Sequence, residues 1–178
     1  MSLKCIVLDN HPDKETRHAA VEEAVRNYLQ EDVHVEYTPK GKPVIVGGSA
    51  EKHISVTTTG DKMLVAILES PVGLDGEYLP RYEDRKTDFV ALAERFFSGD
   101  EAEYVRGEGE ESEKEKFLKI WTRKEAYVKC TDKTIADFPS FSVVEGEKLL
   151  NKVGSVSIRK FSIKFEGSEN YIFAIAGI

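Results

Sequence analysis

A chain of 178 residues that is 40% hydrophobic and 32% charged can bury an ordinary core and is globular rather than disordered in composition. Its net charge of −7 argues against a nucleic-acid partner, because basic stripes supply that affinity, although a local basic patch is compatible with it. No apolar run approaches the roughly 20 residues needed to cross a bilayer. Asp9 also interrupts the stretch that a signal peptide would need, so a cytoplasmic protein without a membrane partner is expected.

Taken in order, Leu3 to Leu8 reads as a short strand, and Pro12 opens a helix to about Gln30. Val21, Ala24, Val25, Tyr28 and Leu29 form that helix's apolar face. Val33 to Tyr37 is a strand, and Thr38 to Pro43, containing Gly41-Lys42-Pro43, is a loop. The β-branched runs Ile54 to Thr58 and Met63 to Leu68, joined through Gly60-Asp61, carry a hairpin signature. Val72 to Asp75 is a brief strand, and 81–88 is a charged connection. Phe89, Leu92, Ala93, Phe96 and Phe97 then recur at helical spacing. Ser98 with Glu101 predicts a capping box, and Gly107 to Glu113 a solvated loop. A long helix follows over about Ser112 to Cys130, then strands at Phe141–Val144, Gly154–Phe165 and Tyr171–Ala176. This order predicts an α+β fold with two related halves, 1–69 and 70–178, although residue-level repetition between them is weak.

Cys5 and Cys130 match no metal spacing and are expected to be reduced. His11, His18, His34 and His53 lack the spacing of a zinc site. Asp75 and Glu77, two apart on a strand, point to one face and can converge on one ion. Oxygen ligands without histidine or cysteine favour Mg²⁺. The plainer alternative is an exposed strand edge with solvated acids. On the long helix, Trp121, Glu125 and Lys129 share a face with Lys124 beside them. There the plainer alternative is a surface Glu125–Lys129 pair and a packed Trp121. Phe117, Ile120, Trp121 and Val128 make the helix a packed one, which puts Glu125 near its buried side. Three acids with flanking lysines point to a divalent ion holding a phosphorylated ligand, and so to a phosphoryl-type transferase. The chain shows no Ser-His-Asp signature, phosphate-binding Gly-x-x-x-x-Gly-Lys loop or Gly-x-Gly-x-x-Gly turn.

Asp75-Gly76-Glu77, Arg95-Phe96-Phe97 and Trp121-Thr122-Arg123-Lys124-Glu125-Ala126-Tyr127-Val128-Lys129 together resemble the ordered signature of 4′-phosphopantetheinyl transferases. The resemblance covers roughly residues 72 to 129 and extends weakly to Gly41-Lys42-Pro43 and the strand at Ile54 to Gly60. It implies the 4′-phosphopantetheinyl transferase-like fold, two similar halves with antiparallel strands packed on a helix, in a compact version of the larger pseudo-dimeric monomer. It also implies holo-[acyl-carrier-protein] synthase activity, in which the phosphopantetheine arm of coenzyme A moves to a serine of an apo acyl or peptidyl carrier protein. Adenosine 3′,5′-bisphosphate is the released product.

By position, Asp75, Glu77 and Glu125 would hold Mg²⁺, while Lys124 and Lys129 would neutralise phosphate. Glu125 or a metal-bound water would take the serine proton, Lys42 would reach the coenzyme, and Trp121 would mainly pack. The departure is Thr58, which stands in Thr57-Thr58-Thr59 where the family carries a histidine that contacts the coenzyme. Threonine donates a hydrogen bond but supplies no charge, so either coenzyme A binding is weaker or differently contacted, with altered selectivity, or His53, Lys52 or another basic residue of the first half substitutes. Thr58 also favours the rival reading, a non-catalytic module that binds carrier protein or coenzyme A. Lys114, Lys116, Lys119, Arg123, Lys124, Lys129 and Lys133 would form either a landing patch for an acidic carrier or a solvated face balancing the nearby glutamates.

Overall fold

The computed structural model describes residues 3–83 and 86–178, so Met1, Ser2 and two positions of the charged connection expected over 81–88 lie outside the described residues. The first strand, β1 (Lys4–Asp9), leads into helix α1 (Lys14–Leu29). Asp13, rather than Pro12, caps α1, its carboxylate accepting from the Thr16 amide at 2.7 Å. Strands β2 (Val33–Tyr37) and β3 (Pro43–Gly47) pair as a hairpin, and β4 (His53–Thr59) and β5 (Lys62–Leu68) as another. Gly60 sits at φ +58 in the two-residue β4–β5 turn, a conformation that glycine adopts without steric cost.

Strand β5 is apolar throughout because both of its faces are covered. Met63, Val65 and Ile67 pack against Val21 and Val25 of α1. Leu64 and Ala66 face the other way, onto Leu74 and Phe173. Tyr28, expected on the apolar face of α1, is instead 41% exposed. Its ring lies at the open side of α1, where the Lys4 ammonium of β1 stands 5.5 Å from its centroid.

Strand β6 (Val72–Tyr78) runs into a 3₁₀ turn at Leu79–Tyr82. Helices α2 (Phe89–Phe96), α3 (Gly99–Arg106) and α4 (Glu113–Thr131) follow. Both α3 and α4 open with complete capping boxes, Ser98/Glu101 and Ser112/Glu115. The short strands β7 (Val144–Glu145), β8 (Lys148–Leu149) and β9 (Lys152–Val153) precede β10 (Val156–Phe161) and β11 (Tyr171–Gly177). The strand expected over Gly154–Phe165 is shorter, β10 alone, and β9 precedes the expected range. Gly154, at φ +58, turns the chain between β9 and β10, which pair antiparallel.

The result is a mixed α+β fold with antiparallel sheets. One sheet runs β1-β5-β4 with α1 on its face, and the other runs β6-β11-β10-β9 with α4 across it. Helix α4 crosses β6 so closely at Gly73 that a Cβ there would lie 1.9 Å from the Ala126 carbonyl oxygen. That approach brings the last turns of α4 over the middle of β6, where Asp75 stands.

Candidate active site

The site is built where β4, β6 and α4 meet. Strand periodicity sends Ser55 and Thr57 of β4 towards β6, while Ile54 and Val56 face α1. The Leu74 amide donates to Ser55 Oγ at 2.9 Å, and Thr57 Oγ1 donates to Asp75 Oδ1 at 3.3 Å. Two hydroxyls of the first sheet thus fix the strand segment that carries Asp75. From the other side, Lys129 of α4 donates to Asp75 Oδ1 at 2.7 Å and to the Leu74 carbonyl at 3.2 Å.

Asp75 is only 6% exposed, and its second oxygen, Oδ2, is buried without a hydrogen-bond partner among the described residues. Burial pushes its carboxyl above the ordinary carboxylate range, with Lys129 opposing. Glu77 is likewise raised, by burial and then by the charge of Asp75. Glu125 is pushed up to about 7, mainly by burial and further by Asp75 and Glu77. The three acids therefore load one another electrostatically, as like charges do when drawn out of water together.

Whether these residues suit a divalent cation can be judged from this arrangement. The donor set is all hard oxygen, one buried carboxylate oxygen lacks a partner, and each acid resists ionising beside the others. By chemistry the set fits such a cation. Among the described residues, no group of three histidine, cysteine or acidic side chains stands gathered closely enough to grip a metal ion as placed.

Beside Glu125 and Lys129 opens a pocket of about 420 Å³, within the range of small-ligand sites. Lys40, Lys42, Lys129 and Lys133 supply positive charge to its lining, and Ile54, Val56, Val128 and Ile135 supply apolar wall. Lys40 also donates to the Asp132 carbonyl at 3.0 Å and to its carboxylate at 3.1 Å, at the C-cap of α4. This ties the Gly-Lys-Pro loop to α4 and sets Lys42 at the pocket. A smaller cleft of about 250 Å³ adjoins it through Gly41, Pro43 and Val56, and contains Thr58, Lys14 and Arg17. Arg17 Nη1 donates to the backbone carbonyls of His11 and Pro12 at 2.7 and 3.0 Å, which orients its guanidinium.

The structure thus brings Asp75, Glu77, Glu125, Lys129 and Lys42 to one seam and sets Thr58 in the adjoining cleft. It does not bring Lys124 there, and the expected phosphate contact is corrected. Lys124 is fully buried, donating to both oxygens of Glu101 at 2.8 and 2.7 Å and to the Phe141 carbonyl. Its ammonium also sits 4.1 Å from the centroid of the Phe141 ring. All three of its protons are committed within the core.

The expected lysine patch on α4 is not continuous either. Lys116 and Arg123 are buried, donating to the carbonyls of Gly107 and Leu150, and Lys119 is paired with Glu111. Trp121 packs as expected, edge-on to Phe96 and Phe138 and stacked on Phe117. Residues that motif reading overlooks are Ser55, Thr57, Arg17, Lys40 and Tyr82, the last of which donates to Glu77 Oε2 at 2.9 Å. Burial and the charge of Glu77 push the Tyr82 phenol up to about 12, so it stays a neutral donor.

A seam that pairs clustered carboxylates with a lysine-lined pocket, on an α+β scaffold, is equipped to handle a phosphorylated ligand. The model of the 4′-phosphopantetheinyl transferase superfamily matches residues 71–176, well over half of the chain, and the chain belongs to that superfamily. It is similar to 4′-phosphopantetheinyl transferase psf-1 of Bacillus pumilus, at 34% identity over 106 residues, covering 60% of this chain and 42% of that protein. Similarity to the transferase HetI of a Nostoc species is 31% over 115 residues, covering 62% of this chain and 46% of that protein. The transferase gsp of Aneurinibacillus migulanus is 26% identical over 109 residues, with 61% and 42% covered. The matched region therefore spans less than half the length of each relative. No helix among the described residues is long and apolar enough to cross a membrane.

Proposed function

We propose that the chain transfers the 4′-phosphopantetheine arm of coenzyme A to a serine of an apo acyl or peptidyl carrier protein, with Mg²⁺ held by Asp75, Glu77 and Glu125. The observation that carries this reading is the placement of buried, mutually loaded carboxylates beside a lysine-lined pocket. Relatives named as 4′-phosphopantetheinyl transferases support it. Lys42 and Lys133 would hold the diphosphate, with Lys129 turned between Asp75 and that anion. Glu125, or a water held by the cation beside it, would accept the serine proton.

The serine oxygen then forms a bond to the phosphorus bearing the pantetheine arm. The bond from that phosphorus to the bridging oxygen breaks, and its electron pair leaves with adenosine 3′,5′-bisphosphate. When bound, the cation would neutralise charge developing on the diphosphate oxygens. Free Cys5 and Cys130 fit a reducing, cytoplasmic setting.

The architecture we propose is a pseudo-dimeric monomer of two related halves, 1–69 and 70–178. One sheet has the order β1-β5-β4 and the other β6-β11-β10-β9, so the first three strands of each run first, last and penultimate along its segment, with β9 added at the edge of the second. A long helix packs on each, α1 on one and α4 on the other.

Intact-mass spectrometry of an apo carrier protein incubated with the chain, coenzyme A and Mg²⁺ tests the reaction. The expected result is a gain of one phosphopantetheine arm, abolished by EDTA. No gain with several carriers that a control transferase modifies would favour the non-catalytic binding module, to which Thr58 points. The coenzyme's separate 3′-phosphate needs a cation that Thr58 does not provide, and Lys14 and Arg17 share its cleft. Arg17→Ala is expected to raise the KM for coenzyme A roughly tenfold, in line with loss of a charge-assisted hydrogen bond. The KM for 3′-dephospho-coenzyme A should barely change. An equal rise for both would remove Arg17 from phosphate binding.

A further inference from the structure

Glu77 is the penultimate residue of β6, paired with Ile172 of β11, and only part of it is buried. The chain beyond it continues through the 3₁₀ turn at Leu79–Tyr82, which has Pro80 at its second position. Proline fixes φ there, so the turn is stiff. It delivers the Tyr82 hydroxyl to Glu77 Oε2 at 2.9 Å. The tyrosine ring is held in turn by Phe89, the first residue of α2, at 6.1 Å between centroids and 60° between planes. Phe89 is itself 7% exposed, within the core of the second sheet and its helices. The path from that core to the Glu77 carboxylate is thus short and rigid.

We propose that Tyr82 is a positioning residue for the cation site, orienting the Glu77 carboxylate through this hydrogen bond. The inference rests on the reading that Asp75, Glu77 and Glu125 hold a divalent cation. A phenol suits the task better than lysine or arginine would. It restrains the carboxylate by one directed bond, leaves the second oxygen available as a ligand, and adds no positive charge to compete with the cation. Outer partners of this kind fix ligand orientation, and their removal typically costs 10- to 100-fold in metal affinity. The loss expected here is at the low end, because Asp75 and Glu125 are positioned independently of Tyr82.

The test is a Mn²⁺ titration, followed by electron paramagnetic resonance, of the full chain and of Tyr82→Phe, Glu77→Gln and the double variant. Phenylalanine keeps the ring against Phe89, and thermal melts of all four proteins check that the fold is retained. Tyr82→Phe is expected to weaken Mn²⁺ binding about tenfold. In the Glu77→Gln background the same change should cost little more, because the two residues act as one unit. Unchanged or tighter binding by Tyr82→Phe overturns the inference, and so does a loss that adds in full to that of Glu77→Gln. Should the unaltered chain bind no Mn²⁺, the cation reading itself falls and this inference with it. That outcome is distinct from a failure confined to Tyr82.

Discussion

Glu125→Gln is expected to cut phosphopantetheine transfer by roughly 10²- to 10⁴-fold, the range for loss of a general base, while making the metal-free protein more heat-stable at pH 8. The second half of this expectation follows from linkage. The Glu125 carboxyl is pushed from its ordinary value of 4.5 up to about 7 in the folded chain. Between those two values the unfolded chain releases a proton that the folded chain retains, so the folded state loses relative stability as pH rises across the window. Below it both states are protonated and nothing is lost. Above about 7 the full cost of a buried charge beside Asp75 and Glu77 is in place.

The shift corresponds to about 3 kcal/mol at most, and partial solvation of Glu125 reduces this to about 1–2 kcal/mol. Glutamine keeps the shape and removes the charge. In EDTA its melting temperature should exceed that of the unaltered chain by a few degrees at pH 8, and the gap should close at pH 4.5. A variant that melts at the same temperature as the unaltered chain at pH 8 as well as at pH 4.5 would show that Glu125 is not strained by its neighbours. One that retains a tenth of the turnover at saturating Mg²⁺ would remove it from the chemistry.

The same physics explains which parts of the site a reader of the sequence can reach. Asp75 and Glu125 are legible because their segments, in order with Arg95-Phe96-Phe97, resemble a family signature, whereas spacing alone leaves the plainer alternative of solvated acids open. The buried state of Asp75 is less so. It depends on Gly73 admitting α4 and on Thr57 arriving from a strand 18 residues upstream, and neither fact is local. Asp75→Ala would consequently leave Lys129 without its carboxylate partner, rather than remove a solvated acid of small account.

Much of the secondary structure is written in strong local signals, such as the Gly60-Asp61 turn, the two capping boxes and the apolar stripe of α2. Strand β3 is not read as a strand, although Val44-Ile45-Val46 is β-branched, because Pro43 before it and Gly47-Gly48 after it read as loop. Thr58 and Thr57 differ by one step of a period-two pattern. That single step sends one into the exposed cleft and the other onto Asp75.

Lys124 is the instructive miss, and its replacement has the largest expected effect on stability. On α4 it falls on the stripe defined by Phe117, Ile120 and Val128, where an ordinary helix would place leucine. A lysine at such a position either rises to solvent along its stem or meets a buried acid. Here it meets Glu101, and the ion pair is completely enclosed. Burial pulls the lysine's pKa down and Glu101 opposes that pull, which is the balance of a paired charge in the core. Glu101 is committed elsewhere as well. It accepts from the Val143 amide at 2.8 Å and from the Ser98 amide at 3.0 Å, so one carboxylate caps α3, holds the chain entering β7 and neutralises α4.

Lys124→Met keeps the volume of the stem and removes the charge, leaving the buried Glu101 side chain without its cation. Breaking a buried pair in this way costs about 3–5 kcal/mol. Against a total stability of about 5–15 kcal/mol, that is a severe loss. Urea denaturation should show the midpoint falling with the slope preserved. Adding Glu101→Gln should recover only part of the loss, because the amide keeps the size of the side chain but not the charged acceptor that Val143 and Ser98 use. If Lys124→Met instead left the midpoint in place and raised the KM for coenzyme A, the lysine would belong to the ligand and not to the core.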